Sequence, residues 1–275
     1  MHVTLRRCFS IIKDCVLNLG ERCMIPKIIH YCWFGHGEKP DSVRHFIAGW
    51  RLKLPDYEIK EWNEDNFDVA SIPYAREAYE ARRYAFVADC ARLYALATEG
   101  GIYLDTDVEV LKSFDPYLGA PAFLGYESEV GLCTAVMGSE PGGKLVCQLL
   151  DDYRERHFIN GDGTLNTTVN VVYVTNRLKQ FGWIVDGRQM EVKDVAWVYP
   201  QEYFSPKSLT TGKIKITPNT VTIHHLNASW YNTREKMVYW IGKRCGRGAA
   251  QVMSLLCHNP LYICQRAVRY VKTGQ

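Results

Sequence analysis

Apolar and polar positions change their spacing several times along this chain, and the changes mark its elements. Residues 27–34 (KIIHYCWF) form a nearly unbroken apolar and aromatic run closed by Gly35 and Gly37, which predicts a buried strand and a loop. Asp41 is placed to cap a helix running through Trp50 to Leu54, where Pro55 stops it. Residues 57–62 (YEIKEW) alternate and predict a second strand. Residues 74–98, rich in Ala, Arg and Tyr, predict a long helix ended by Gly100-Gly101, and residues 102–108 read as the next strand. Strands at 122–125 and 134–137, a helix over 141–157 started by Pro141, a turn at 160–163, a helix over 164–181 and strands within 192–205 and 213–225 complete the pattern. Strands alternating with helices predict an α/β fold with a mostly parallel central sheet.

The two ends differ from the body. In residues 1–23, Leu5, Phe9, Ile12, Val16 and Leu19 recur at three- to four-residue steps, the pattern of an amphipathic helix, and Lys13 and Asp14 break the apolar stretch a signal peptide needs. Residues 236–275 carry seven Lys and Arg and no Asp or Glu, which leaves 26 basic against 30 acidic residues elsewhere. Basic residues interleaved with Trp240, Leu255, Tyr262 and Val268 suit an anionic membrane surface; a solvated basic face on packing helices is the alternative. Residues 24–235 show no repeat, low-complexity tract or linker and are expected to form one domain.

Composition narrows the function classes. With 47% hydrophobic and 23% charged residues, the 275-residue chain has ordinary globular values, against disorder, collagen or coiled coil. A net charge of +3 does not mark a dedicated nucleic-acid binder. No uncharged apolar run reaches the length of a membrane-spanning helix. None of the ten cysteines forms a C-x-x-C pair, and scattered free cysteines fit a reducing, cytoplasmic setting.

The chemistry concentrates in Gly100-Gly-Ile-Tyr-Leu-Asp-Thr-Asp-Val108. On a strand, Asp105 and Asp107 would share a face with Tyr103 beside them. Paired carboxylates repel unless a cation stands between them, and hard oxygen ligands suit Mg2+ or Mn2+. Asp89 and Arg92, three apart on the preceding helix, share one face; they are suited to sugar hydroxyls and to a carboxylate, phosphate or sugar oxygen, or else to a simple surface pair. Trp33, at the end of the first strand, can stack on a flat base or serve as a core aromatic. His224 and His225 end another strand, where an imidazole can complete a metal shell or stand as polar surface.

These motifs, in the order IPKIIHYCWFG, YEIKEWN, YAFVADCARLYAL, GGIYLDTDVE and IHHLNASW, resemble the D-x-D sugar transferases of glycosyltransferase family 32 across about residues 25–230. That family includes bacterial capsule and surface-polysaccharide transferases and yeast mannosyltransferases. The D-x-x-R…Y-x-D-x-D pattern is also similar to that of clostridial toxin glucosyltransferases. The resemblance implies a GT-A fold, a nucleotide-diphospho-sugar donor, a Mn2+ or Mg2+ cofactor and transfer with retention. It implies donor binding by Cys32, Trp33, Asp89, Arg92, Tyr103, Asp105, Ser229 and Trp230, with Asp89, Arg92, Asp105 and Asp107 catalytic. Asp107, Asp105 and His225 are the implied metal ligands, with His224 the alternative to His225. Ala88 departs from the Ser that often precedes the Asp in related sequences. Residues 166–175 fall where the family approaches the donor sugar and acceptor. No separate nucleophile is evident, so front-face attack by the acceptor hydroxyl is expected, with a covalent glycosyl-Asp intermediate as the alternative. A glycan or lipid-linked glycan acceptor at the inner membrane face is the expected partner. The rival readings are a carboxylate-pair glycoside hydrolase, which the two-residue spacing of the Asp pair disfavours, and a sugar-binding module without turnover. The sequons at Asn166 and Asn227 do not establish a secretory setting.

Overall fold

The computed structural model describes residues 24–128, 131–208 and 211–226. In chain order its strands are β1 (Ile28–Cys32), β2 (Glu58–Trp62), β3 (Gly101–Leu104), β4 (Val108–Val110), β5 (Ala122–Tyr126), β6 (Leu132–Ser139), β7 (Met190–Val192), β8 (Ala196–Tyr199) and β9 (Thr222–His224). The helices are α1 (Asp41–Lys53), α2 (Pro73–Glu80), α3 (Tyr84–Glu99), α4 (Lys144–Arg154), α5 (Asn170–Gln180) and the short α6 (Gln201–Phe204). Seven strands form one sheet in the order β2-β1-β3-β6-β5-β8-β7, and β4 pairs with β9 in a separate ribbon.

Both faces of the sheet are buried, which is why β1 and β3 read as continuous apolar runs. Strand alternation then assigns each residue to a layer. Ile29, Tyr31, Ile102 and Leu104 pack with α1 and the β4–β9 ribbon. Cys32 and Tyr103 pack with α2, α3, α4 and α5. Fully burying one such apolar side chain contributes roughly 1.5–3 kcal/mol. Trp50 of α1 is fully buried, and its indole N–H donates to the Val108 carbonyl at 2.8 Å, fixing α1 to the ribbon.

The α/β class expected from the sequence is observed, with an evenly mixed sheet. β1 is parallel to β2 and β3, and β5 is parallel to β8. The pairs β3–β6, β5–β6 and β7–β8 are antiparallel. The short connections after β5 and β7 leave no room for the crossover that parallel neighbours require. The predicted 74–98 helix is two helices: Pro73 starts α2, and the chain turns at Arg82, with φ 55°, before α3. Within 213–225 only Thr222–His224 is strand, after a turn in which the Thr220 N–H donates to the Thr217 carbonyl at 3.1 Å.

β2 and β3 lie on opposite sides of β1, and their connections run over opposite faces, α1 on one and α2–α3 on the other. β1 and β3 are parallel neighbours, so their carboxyl ends lie side by side at one edge of the sheet. In open α/β sheets ligands bind outside the carboxyl ends of such strands. Trp33 and Asp105 are the first residues past those two strand ends.

Candidate active site

Two glycines deliver the D-x-D segment. Gly100 ends α3 with φ 67°, and Gly101 opens β3 with φ 99°. A Cβ on Gly101 would stand 2.7 Å from the Ile28 carbonyl oxygen and 2.9 Å from His30 Nε2, so only glycine lets β3 lie this close to β1. The His30 ring fills the space: Nε2 is 2.7 Å from the Gly100 carbonyl, and Nδ1 accepts the Trp62 indole N–H at 3.0 Å.

Asp105, Thr106 and Asp107 do not extend the strand, as the sequence had suggested. β3 ends at Leu104, and a turn follows in which the Val108 N–H donates to the Asp105 carbonyl at 3.0 Å. The Asp105 N–H is held by the Ala135 carbonyl of β6 at 2.9 Å. The acids are therefore brought together by a tight turn, and their side chains belong to two adjoining clusters.

The first cluster is centred on Arg92. Its Nη2 is 3.0 Å from Asp89 and 3.3 Å from Asp105, and its Nη1 donates to the Thr134 carbonyl at 2.7 Å. The guanidinium lies 4.3 Å from the centroid of the Tyr103 ring, and the Tyr103 hydroxyl donates to Asp105 Oδ1 at 2.8 Å. Asn170, at the start of α5, donates to Asp89 Oδ1 at 2.6 Å and accepts from the Thr134 hydroxyl at 2.9 Å. Asp89 and Arg92 are only 8% and 6% exposed, so they are a buried pair, not a solvated one. Burial pushes the Asp89 carboxyl up to about 7, with Asp105 adding to it and Arg92 and Asn170 opposing it. One guanidinium serving two carboxylates leaves Asp89 under-compensated. Burial also opposes the charge of Arg92, but Asp105, Tyr103 and Asp89 outweigh it and hold its pKa above the ordinary arginine value.

The second cluster is Asp105, Asp107 and His224, whose candidate ligand atoms lie within 4.8 Å of one another. His224 Nε2 is 3.3 Å from Asp107 Oδ1, and Nδ1 is 2.6 Å from Glu127 Oε1. Burial works against a charge on this ring, but hydrogen bonds to Asp107, Cys133 and Glu127 prevail and raise its pKa well above the usual imidazole value. Here the expected ligand assignment changes. His225 is turned to Glu109, with Nε2 2.8 Å from Oε2 and its ring 5.1 Å from that of Phe46. Adjacent residues at a strand end face opposite ways, so His224, which contacts Asp107, and His225, which contacts Glu109, are presented to different sides. Two carboxylates and an imidazole form a donor set suited to Mn2+ or Mg2+. Glu127 is placed to fix the tautomer of His224 through Nδ1, as outer carboxylates commonly do for metal-binding histidines.

Trp33 lies partly exposed past β1, with its indole N–H donating to the Gly37 carbonyl at 2.6 Å and the Lys39 ammonium 6.0 Å from its ring centroid. Cys32 is buried on the Tyr103 side of the sheet, beneath the Arg92 cluster, and burial pushes its thiol pKa up. Ser229, Trp230, the Asn227 sequon, residues 1–23 and residues 236–275 lie outside the described residues. Asn170, Thr134, Glu127 and Cys133 were not singled out from the sequence, although Asn170 falls in the 166–175 stretch expected near the donor. Among the described residues, no helix is long and apolar enough to cross a membrane.

Residues 40–124 match the family described as "Glycosyltransferase sugar-binding region containing DXD motif". Mannosyl phosphorylinositol ceramide synthase SUR1 of Saccharomyces cerevisiae is 33% identical over 125 residues, which is 43% of this chain and 32% of that protein. Inositol phosphoceramide mannosyltransferase 3 of Schizosaccharomyces pombe is 31% identical over 139 residues, 48% of this chain and 38% of that protein. The match thus spans about a third of those relatives' length. Among solved structures, the PaToxG glycosyltransferase aligns with a TM-score of 0.46 at 16% identity, covering 64% of this chain and 76% of that one. The chain is thus similar over residues 40–124 to the DXD-containing sugar-binding region of glycosyltransferases, and it is related in sequence to the yeast enzymes over less than half its length.

Proposed function

We propose that the protein is a metal-dependent, retaining glycosyltransferase of GT-A type within family 32. It would move a sugar from a UDP-linked or other nucleotide-diphospho-sugar to a glycan acceptor in surface polysaccharide or glycolipid synthesis. The observation that carries this reading is the double role of Asp105. The same carboxylate takes the Tyr103 hydroxyl and the Arg92 guanidinium and stands in the cation-suited set with Asp107 and His224. A group of sugar-binding character and a group of cation-binding character therefore meet where the sheet opens.

Asp105, Asp107 and His224 would hold a divalent cation, which supplies neutralisation of the departing diphosphate. Arg92 and Asn170 hold Asp89 in place to accept from donor-sugar hydroxyls, and Trp33 offers an aromatic face for the base. With no separate nucleophile assigned, the acceptor hydroxyl attacks from the face the diphosphate leaves. The yeast relatives' names describe inositol phosphoceramide mannosylation, which supports a lipid-linked acceptor, and the basic residues 236–275 support a peripheral site at the cytoplasmic membrane face.

The test is thermal shift and donor hydrolysis with UDP- and GDP-sugars, with and without manganese. Binding at 100 times Kd stabilises by about 2.7 kcal/mol, or roughly 5–10 °C for a domain of this size. One donor is expected to give that shift only with metal, and to lose it in Asp107→Ala and His224→Asn but not in His225→Asn. No response to any donor, with or without metal, refutes the assignment.

A further inference from the structure

We propose a second metal site, formed by Glu127, Cys133 and His224, that takes a soft divalent cation of the zinc class and shares its histidine with the Asp105–Asp107 set. The three candidate ligand atoms lie within 4.8 Å of one another. They come from three places: Glu127 just past β5, Cys133 on the adjacent β6, and His224 at the end of β9. Their chemistry differs from that of the first set. A thiolate and an imidazole with one carboxylate select zinc over the hard cations that an Asp pair favours. Cys133 is a free, fully buried cysteine, and its Sγ lies within 4.8 Å of a His224 ring nitrogen and of a Glu127 carboxylate oxygen. Zinc would displace the thiol proton and the ring proton facing Glu127, both of which leave to solvent.

The two ring nitrogens explain the sharing. Nδ1 is on the Glu127 side at 2.6 Å, and Nε2 is on the Asp107 side at 3.3 Å. A cation held by Cys133 and Glu127 takes away the carboxylate that orients the ring toward Asp107. Zinc at this site therefore weakens the manganese-supported binding of the donor. This second half rests on the function proposed above, whereas the zinc site itself does not.

Cobalt(II) is the probe, because a thiolate ligand gives it a charge-transfer band that oxygen and nitrogen ligands do not. The intact wild-type chain should show the band and give it up on zinc addition, and Cys133→Ala should lose it. A wild type without the band, or the same band in Cys133→Ala, overturns the site. Should Cys133→Ala not fold, Glu127→Gln keeps the ring's hydrogen bond and should lower cobalt affinity about tenfold; unchanged affinity overturns the site. In the second arm, zinc should erase the manganese-dependent donor shift in wild type and spare it in Cys133→Ala. A wild-type donor shift that survives zinc overturns the sharing. A wild type with no such shift at all overturns the proposed function, while the cobalt band still decides the zinc site.

Discussion

Replacing Tyr103 by Phe removes one hydroxyl from the centre of the Arg92 cluster and leaves the ring. That hydroxyl donates to Asp105 Oδ1 at 2.8 Å, while the ring face carries the Arg92 guanidinium at 4.3 Å. A hydrogen bond to a charged group contributes about 1.5–3 kcal/mol. The Asp105 side chain is 29% exposed, so water recovers part of the loss and the lower end applies, about 1.5 kcal/mol. Tyr103→Leu deletes the ring as well. It gives up the cation–π contact, about 0.5–2 kcal/mol, and leaves a void beside a buried guanidinium, for a total of roughly 3–5 kcal/mol. At about 2–4 °C per kcal/mol for a domain of this size, the Phe variant should melt some 3–6 °C lower and the Leu variant clearly lower still. Calorimetry on both variants checks the ladder, and a cycle with Asp105→Ala, which removes the acceptor oxygen, should show that the Phe effect vanishes. A Phe variant as stable as wild type, or a Phe effect that survives Asp105→Ala, refutes the account of how Asp105 is held.

Gly101→Ala places a methyl 2.7 Å from the Ile28 carbonyl oxygen at a φ of 99°, so backbone strain and overpacking together should cost about 2–4 kcal/mol, read by urea unfolding. His30 is fully buried, and burial lowers its pKa below the ordinary 6.5 despite the Gly100 carbonyl, which favours the protonated ring. Its folded value lies below its unfolded one, so the unfolded chain binds the proton first as pH falls. The stability from neutral His30 is thus complete above pH 6.5 and is lost below it. Thermal unfolding between about pH 7 and 5 should show a shallower decline in His30→Gln than in wild type; equal slopes refute the assignment.

The parts of the site that could be read from sequence are the parts built from local geometry. Asp89 and Arg92 are one helical turn apart, and the Gly100-Gly101 pair is required by backbone angles and by the nearness of β1. The parts that could not be read depend on pairings between distant segments. Asn170 reaches Asp89 across 81 positions, and Glu127 reaches His224 across 97. The choice between the two histidines shows the reason most sharply. Neighbouring residues at a strand end point to opposite sides, so a one-residue change in register exchanges them. That register is set by the pairing of β9 with β4, not by anything within the His224-His225 dipeptide. α1 in turn fixes β4 through the bond from Trp50 to the Val108 carbonyl, and Val108 is the residue paired with His224. The strand against which His224 and His225 are registered is thus anchored by a tryptophan on a helix that supplies no group to the site.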